Sequence, residues 1–314
     1  MRFKKPKFWD YKKPNINSYL LWPISFFIQL ISLFKIIITK KKSTSIKTIC
    51  IGNIYLGGTG KTSLSLKINK ILHEKKIKTC FIKKFYPDQI DEQNILENNG
   101  KLFKSKKRLN SLIQADLEGY KVAIFDDGLQ DNSIDYDLKI VCFNNKNWIG
   151  NGLLIPSGPL REKIESLKNY DIVFLNGKSE NALENKQIIL KINPRIKIFE
   201  SNYKIKNLDK LNKKSEYLIF SGIGEPSSFR DILQDNNINV VKEIIYPDHY
   251  DYKKKDLENI IDEAKKNDAK ILTTEKDFVK LSNDDKKQID YLEIETNIDN
   301  EQIFIDLLND KLNK

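Results

Sequence analysis

Short apolar runs alternate with amphipathic stretches along most of the chain, beginning near residue 46. The early runs are rich in β-branched and aromatic residues and lack helical spacing, so each predicts a buried strand. They are IKTICIG (46–52), IKTCFI (77–82), VAIFDD (122–127), LKIVCF (138–143) and DIVFLN (171–176). The stretch 62–76 instead places its apolar residues on one helical face. This alternation predicts a doubly wound, mainly parallel α/β sheet.

A second, smaller α/β lobe is predicted after the polar, Lys- and Asn-rich stretch near 203–215. Strand patterns return in EYLIFSG, VVKEII, KILTT and YLEIE, with helices predicted over 226–233, over 254–266 and at the end of the chain. The predicted organisation is an N-terminal segment over 1–46, a first α/β domain over 47–205 and the smaller lobe over 206–314.

The N-terminal segment carries a long apolar helix pattern without a charge from residue 14 to residue 34. Its polar positions follow one narrow helical stripe, and lysine pairs or triplets flank both ends. A spanning helix collects positive charge on one side, whereas a helix in the headgroup layer benefits from cations at both ends. We therefore expect an in-plane anchor on an anionic membrane surface, with docking on the protein's own core or a signal anchor as the alternatives.

The net charge of +11 is local rather than general. Residues 1–47 hold eleven of the 54 Lys and Arg and one of the 43 acidic residues, so the remaining 43 basic and 42 acidic residues nearly balance. A general nucleic-acid surface is therefore not expected. Cys50, Cys80 and Cys142 each fall in an apolar run without C-x-x-C pairing, which predicts small buried side chains in a protein of the cell interior.

The sequence YLGGTGKT, directly after the first strand pattern, has the features of a phosphate-binding loop. Such a loop wraps phosphate oxygens with backbone N–H groups, places a lysine on the outer phosphates and a hydroxyl on Mg²⁺, and opens a helix. The residues are Tyr55, Leu56, Gly57, Gly58, Thr59, Gly60, Lys61 and Thr62. The usual pattern has a glycine where Tyr55 stands.

A matching acidic element follows in VAIFDDGLQ, where Asp126 and Asp127 end a strand pattern as the carboxylates of a Walker B strand do. They are the predicted Mg²⁺ and nucleotide contacts. The guanine-reading N-K-x-D pattern is not found, because Asn145-Lys146-Asn147-Trp148 lacks the aspartate. ATP is therefore the expected nucleotide.

Together these elements resemble the tetraacyldisaccharide 4′-kinase family. The resemblance rests on six segments in order across residues 52–277. They are GNIYLGGTGKT (52–62), DDGLQ (126–130), GNGLLIPSGPLRE (150–162), SGIGEPSSF (221–229), YPDHY (246–250) and LTTEKD (272–277). The family loop begins G-N-x-x-x-G-G without the earlier glycine, so Tyr55 is a family variant of the loop.

The resemblance implies an enzyme of lipid A biosynthesis, peripheral on the cytoplasmic face of the bacterial inner membrane. It would move the γ-phosphate of MgATP onto the 4′-hydroxyl of tetraacyldisaccharide 1-phosphate and form lipid IVA. The implied partners are this amphiphilic lipid and an anionic membrane surface, with no obligate protein partner. An in-plane anchor suits a substrate that stays in the bilayer.

The resemblance also assigns roles to individual residues. Glu162 would join Asp126 and Asp127 near the metal. Arg161 is one of five arginines beside 49 lysines, and its planar fork suits a phosphate or a carboxylate. The family's catalytic base is an Asp–His pair, which falls here on Asp91 and His249.

Residues 83–93 depart from the family pattern around Asp91. The expected S-R-G-Y reads Lys83-Lys84-Phe85-Tyr86, and Ile90 and Gln93 stand where Gly and Pro of G-D-E-P are expected. Asp88 and Glu92 are therefore rival carboxylates for the base. His73, the other histidine, is expected to be a solvated residue near a helix end.

Two competing functions belong to other classes. A membrane-recruited ATPase switch would hydrolyse ATP on meeting a protein partner and would label no lipid. A degenerate scaffold without catalysis is suggested by the altered residues 83–93, but the intact GKT, DDGLQ and PDH elements disfavour it.

Overall fold

The computed structural model describes residues 5–87 and 89–312. The strands are β1 (Lys47–Gly52), β2 (Thr79–Lys84), β3 (Leu102–Ser105), β4 (Val122–Asp126), β5 (Leu138–Asn144), β6 (Ile172–Asn176), β7 (Lys197–Ile205), β8 (Glu216–Ser221), β9 (Asn239–Ile245), β10 (Lys270–Thr274), β11 (Ile289–Leu292) and β12 (Ile294–Ile298). The helices are α1 (Ile16–Ile38), α2 (Lys61–Glu74), α3 (Ile90–Asn99), α4 (Arg108–Leu117), α5 (Ala182–Ile192), α6 (Pro226–Asp235), α7 (Lys254–Lys266), α8 (Glu275–Phe278) and α9 (Glu301–Leu312).

The larger sheet has eight strands in the order β12-β7-β6-β5-β1-β4-β2-β3. The pairs from β7 through to β3 are parallel, and β1 and β4 are neighbours with Ile51 opposite Asp126. The central strands are buried over nearly their whole length, as parallel strands covered on both faces are. The predicted doubly wound, mainly parallel fold is confirmed. Its register brings the loop after β1 beside the carboxyl end of β4.

The smaller sheet has four parallel strands in the order β11-β10-β8-β9. One apolar cluster, built around Tyr217, Phe229 and Leu233, packs with α6, and another, built around Phe220 and Ile260, packs with α7. Helices therefore cover both faces, which is why β8 and β10 are buried over most of their length.

Two compact units divide the chain, and they are not continuous in sequence. One contains Lys5–Phe85, Asn99–Asn202 and the described residues from Asn297 onward, and the other contains Tyr86–Asn98 and Tyr203–Thr296. We call them the nucleotide unit and the base unit. The linear boundary expected at 205/206 does not anticipate this exchange. The terminal helix belongs to the nucleotide unit, where Phe304 packs edge-on against Phe174.

Helix α1 packs two of its serines against the protein and turns most of its apolar residues outward. Ser18 and Ser25 are buried, whereas most of its large apolar side chains, including Phe26 and Phe27, are exposed. The Ser25 hydroxyl donates to Leu154 O at 3.0 Å, and Asn151 Nδ2 donates to Ser18 Oγ at 3.0 Å. By length and composition α1 could cross a membrane, and 6% of its most apolar window is buried. Ser18 and Ser25 of the predicted polar stripe thus attach α1 to segment 150–162, whereas Ser32 and Lys35 farther along the helix are exposed.

Candidate active site

The loop between β1 and α2 is shaped by two glycines with positive φ. Gly57 has a φ of 150° and Gly60 has a φ of 83°, which are backbone angles that residues with a Cβ atom rarely adopt. Gly60 is the N-cap of α2, so Lys61 and Thr62 begin the helix. Asn53 Nδ2 donates to Gly57 O at 3.2 Å and closes the loop. The N-terminus of a helix and its free N–H groups form a site for anions.

Tyr55 attaches the start of this loop to other parts of the nucleotide unit. Its side chain is buried, its hydroxyl donates to Asp10 Oδ1 at 3.0 Å, and it pairs through the backbone with Leu160. Leu56 N donates to Pro159 O at 2.8 Å. Tyr55 therefore supports the loop through packing and hydrogen bonds, in a place where a glycine could not.

Asp126 is fully buried at the end of β4 and holds three side chains of the site. Lys83 Nζ donates to Asp126 Oδ2 at 2.5 Å, Thr62 Oγ1 donates to the same oxygen at 3.3 Å, and Ser65 Oγ donates to Oδ1 at 3.5 Å. Lys83 is 1% exposed. An isolated charge is very costly to bury, so this ion pair is what allows either group to be charged there.

Asp127, the next residue, is held by cations on two sides. Arg161 Nη1 donates to Asp127 Oδ1 at 2.8 Å, and Lys61 Nζ lies 3.8 Å from that oxygen. Burial raises the pKa of Asp127, but the charges of Lys61, Arg161 and Lys83 outweigh it and lower that pKa to about 2. Its φ is 60°, a strained value for a non-glycine residue. Arg108 Nη2 donates to the Asp127 carbonyl at 2.5 Å and supports this conformation.

Glu162 lies in an adjoining polar group rather than in a hydrogen bond with either aspartate. Its oxygens accept from Gln130 Nε2 at 2.8 Å and from the Tyr170 hydroxyl at 2.6 Å. Gln130 Oε1 in turn accepts from Arg161 Nη1 at 3.1 Å, which links Glu162 to the cations around Asp127.

Two buried polar atoms at the loop, Thr59 Oγ1 and Asn53 Oδ1, have no hydrogen-bond partner among the described residues. The Thr59 hydroxyl can donate to a phosphate oxygen, whereas the Asn53 side-chain oxygen can only accept. Residues 5–87 and 89–312 contain no group of three or more His, Cys, Asp or Glu side chains that could hold a metal. Mg²⁺ at nucleotide sites needs only one or two carboxylates, because phosphate oxygens and waters supply the other ligands. Thr62, Asp126 and Asp127 fit that arrangement.

A second cluster lies in the base unit, where Asp91 and His249 meet. His249 Nδ1 lies 2.9 Å from Asp91 Oδ1 and 3.0 Å from Oδ2. Asp91 stands in the first turn of α3 and accepts from Glu92 N at 2.8 Å. Burial raises the pKa of Asp91, but the His249 hydrogen bond and the Lys276 charge outweigh it, so that pKa is lowered.

His249 is fixed by its backbone as well as by Asp91. Its φ is 57°, and its N–H donates to Gly222 O at 3.0 Å. Gly222 N donates to the buried Asp277 Oδ2 at 2.9 Å. Three of the six recognised segments, SGIGEPSSF, YPDHY and LTTEKD, therefore meet in one hydrogen-bonded arrangement. Strained backbone conformations of this kind often occur at functional residues.

The two other carboxylates considered for the base, Glu92 and Asp88, differ in what the structure says of them. Glu92 lies beside the pair, with Oε1 3.9 Å from His249 Nε2. Asp88 lies outside the described residues. His73 is exposed in the last turn of α2, as predicted.

Sequence reasoning missed two lysines. Lys83 was noted only as a departure from S-R-G-Y, and Lys276 only as a letter of LTTEKD, yet each contacts a carboxylate of a cluster. A lysine within an apolar strand pattern, as in TCFIK, was the available signal for Lys83.

The comparisons with known proteins all point to the same family. A family profile described as "Tetraacyldisaccharide-1-P 4'-kinase", LpxK, matches residues 17–104 and 91–313. A tetraacyldisaccharide 4′-kinase of Pelagibacter ubique is 53% identical over 304 residues, which are 96% of each chain. The chain belongs to the tetraacyldisaccharide 4′-kinase family. The same enzyme of Rickettsia canadensis is 33% identical over 98% of this chain and 96% of its own.

A solved structure extends the comparison to the fold of this kinase family. LpxK from Aquifex aeolicus, in its "apo" form in complex with ATP, gives a TM-score of 0.69 at 21% identity. It covers 94% of this chain and 99% of its own. The family resemblance and the fold class expected from the sequence are both confirmed.

Proposed function

We propose that the chain transfers the γ-phosphate of MgATP to the 4′-hydroxyl of tetraacyldisaccharide 1-phosphate. The Asp91–His249 pair is the observation that carries the proposal beyond nucleotide binding, because hydrolysis or switching alone needs no residue to accept a sugar hydroxyl proton. The relatives' shared name supports the same reaction.

The nucleotide would be held by the loop and the two aspartates. Residues Gly57 to Thr62 would surround the β- and γ-phosphates, with Lys61 and Arg161 neutralising charge. Both cations already face Asp127. Mg²⁺, when bound with ATP, would neutralise charge between the β- and γ-phosphates, and Thr62, Asp126 and Asp127 would hold it, with Glu162 close by.

The base would act on the acceptor. Asp91 would accept the proton of the 4′-hydroxyl as the oxygen forms its bond to the γ-phosphorus, and the bond from that phosphorus to ADP breaks. His249 would orient the Asp91 carboxylate through Nδ1. The lowered pKa of Asp91 keeps this carboxylate ionised at neutral pH, as acceptance of a proton requires.

The place of action would be the cytoplasmic face of the inner membrane, with α1 lying on the bilayer. The exposed apolar side chains of α1 support this location, because so large an apolar surface is unfavourable in water and favourable in a bilayer. Lys12, Lys13 and residues 40–42 would attract anionic lipids at the two ends of the helix.

A transfer assay tests the proposal. Purified protein in detergent micelles is incubated with γ-labelled ATP, Mg²⁺ and tetraacyldisaccharide 1-phosphate, and the lipid is separated. We expect labelled lipid from wild type and a fall of about 100-fold or more in Lys61→Ala and Asp91→Asn. The exposed Lys191→Ala serves as the matched control.

Nucleotide binding separates the two variants. Asp91→Asn should retain ATP binding, because Asp91 belongs to the base unit, whereas Lys61→Ala should weaken it. ATP turnover without labelled lipid in wild type would instead support the ATPase switch, which family membership does not favour.

A further inference from the structure

Lys276 lies at the centre of the base cluster, although neither the nucleotide chemistry nor the Asp–His pair explains it. Its Nζ is 3.2 Å from Glu92 Oε1, 3.2 Å from Asp248 Oδ1 and 3.9 Å from Asp91 Oδ2. It also lies 3.5 Å from His249 Nε2. One ammonium group therefore faces three carboxylates and the second nitrogen of the imidazole.

We propose that Lys276 is a positioning residue that fixes His249 as the neutral tautomer with its proton on Nδ1, so that this proton is donated to Asp91. The role of Lys276 in catalysis rests on the proposed function. The tautomer of His249 is inferred from the contacts of Lys276 alone.

The chemistry of the ammonium group supports this assignment. A lysine ammonium only donates hydrogen bonds, so a hydrogen bond from Lys276 Nζ to Nε2 requires that nitrogen to carry a lone pair rather than a proton. The imidazole proton is then on Nδ1, which faces both oxygens of Asp91. Because Asp91 accepts this bond, its carboxylate is held in one orientation.

Lys276 stays charged because its surroundings favour the ammonium form. Burial lowers the pKa of Lys276, but the charges of Glu92, Asp248 and Asp91 outweigh it and raise that pKa well above its usual range. The same pairing lowers the pKa of Asp91. Without Lys276, the three carboxylates would repel one another, and a proton on Nε2 would become favourable, since Asp248 Oδ2 lies 3.8 Å from it.

The fold gives Lys276 a defined position. It lies in α8, whose N-cap Thr274 accepts from Asp277 N. The buried Asp277 also accepts from Gly222 N and from Lys280 Nζ. Since Gly222 O accepts from His249 N, the element that carries Lys276 and the backbone of His249 are joined through one residue.

Nitrogen NMR tests the tautomer directly, because the chain has only two histidines. In protein labelled with ¹⁵N-histidine, we expect His249 to show a protonated Nδ1 and an unprotonated Nε2 at neutral pH. In Lys276→Met this pattern should change toward a protonated Nε2, while the exposed His73 serves as an internal reference. An Nε2–H tautomer in wild type, or an unchanged pattern in Lys276→Met, would overturn the proposal.

Kinetics test the consequence for the base. In Lys276→Met we expect kcat to fall about 10- to 100-fold at pH 7. This fall should not exceed the fall in Asp91→Asn, which removes the base itself. The acid limb of the kcat/KM profile should move to higher pH, because the pKa of Asp91 rises toward its usual range. Lys276→Arg should restore the position of that limb, because it keeps the charge.

Controls separate this proposal from the general function. Lys255→Met, an exposed lysine of the same unit, should match wild type in both measurements. If wild type transfers no phosphate but shows the Nδ1–H tautomer, the proposed function fails and the positioning inference stands. If transfer is normal but Lys276→Met keeps its pH profile, the inference fails and the proposed function stands.

Discussion

At the scale of the residue, the pair formed by Lys83 and Asp126 is the least expected feature. A lysine that is 1% exposed is uncommon, because a buried charge without a partner is very costly. The pair holds the Asp126 carboxylate beside Thr62, where nucleotide chemistry needs it.

Removal of Lys83 should therefore damage stability more than removal of an exposed lysine. We expect Lys83→Met to lower the free energy of unfolding by about 3–5 kcal/mol, because Asp126 is left buried and unpaired. Urea unfolding measures the change, with the exposed Lys121→Met as control. The double variant Lys83→Met/Asp126→Leu should recover much of the stability but no activity. Equal losses in Lys83→Met and Lys121→Met would contradict this account.

Asp127 predicts how stability depends on pH. The cations beside it lower its pKa from 3.8 to about 2 in the folded chain, so its contribution is present above pH 4 and is lost as pH falls toward 2. The stability difference between wild type and Asp127→Asn should be on the order of 2 kcal/mol at pH 6 and should shrink below pH 4. Urea unfolding between pH 6 and pH 3 measures it. A difference that stays constant across this range would argue against the ion pairs.

The roles of individual residues could be predicted from the sequence where the residues form a short local motif. The loop 55–62 and the two aspartates after β4 are local motifs that follow strands, so parallel packing had to bring them to one edge of the sheet. The apolar pattern around Lys83 was a signal for a buried lysine, but the partners of Lys83 and Lys276 were not predictable, because Asp126 and Glu92 are 43 and 184 residues away. No periodic pattern encodes such distant pairs.

At the scale of the element, helix α1 combines a polar attachment surface with an apolar exterior. Ser18 and Ser25 form hydrogen bonds with segment 150–162, which also contacts the phosphate-binding loop through Pro159 and Leu160. The polar stripe could be predicted from the sequence. The outward apolar side agrees with the in-plane anchor expected from the sequence rather than with docking on the protein's own core, since an ordinary soluble helix turns its apolar side inward.

The exterior of α1 should therefore govern binding to membranes. We expect Phe26→Ser/Phe27→Ser to lower partitioning onto vesicles with anionic lipid by about 100-fold, because each phenylalanine contributes roughly 1.5–3 kcal/mol when buried. Co-sedimentation measures the bound fraction. Leu183→Ser, which removes an exposed apolar side chain from α5, is the matched control. A similar loss in both proteins would show that α1 is not the binding element.

At the scale of the whole molecule, each of the two units is built from stretches that are separate in the sequence. Residues 86–98 carry Asp91 into the unit of His249, and α9 returns to the larger sheet. Each exchange depends on contacts between distant parts of the chain, so strand and helix patterns predicted the elements but not their partners. The near-neutral charge beyond residue 47 does follow from the sequence, and it agrees with a lipid substrate rather than a nucleic acid.

Identification of the lipid product tests the central claim most directly. Wild-type protein is incubated with MgATP and tetraacyldisaccharide 1-phosphate, and the purified lipid is examined by ³¹P NMR with proton correlation. We predict two phosphorus resonances, the original 1-phosphate and a new monoester that correlates with the proton on carbon 4′. A lipid that keeps one phosphorus resonance while ADP accumulates, or a new phosphate at another position, would contradict the account.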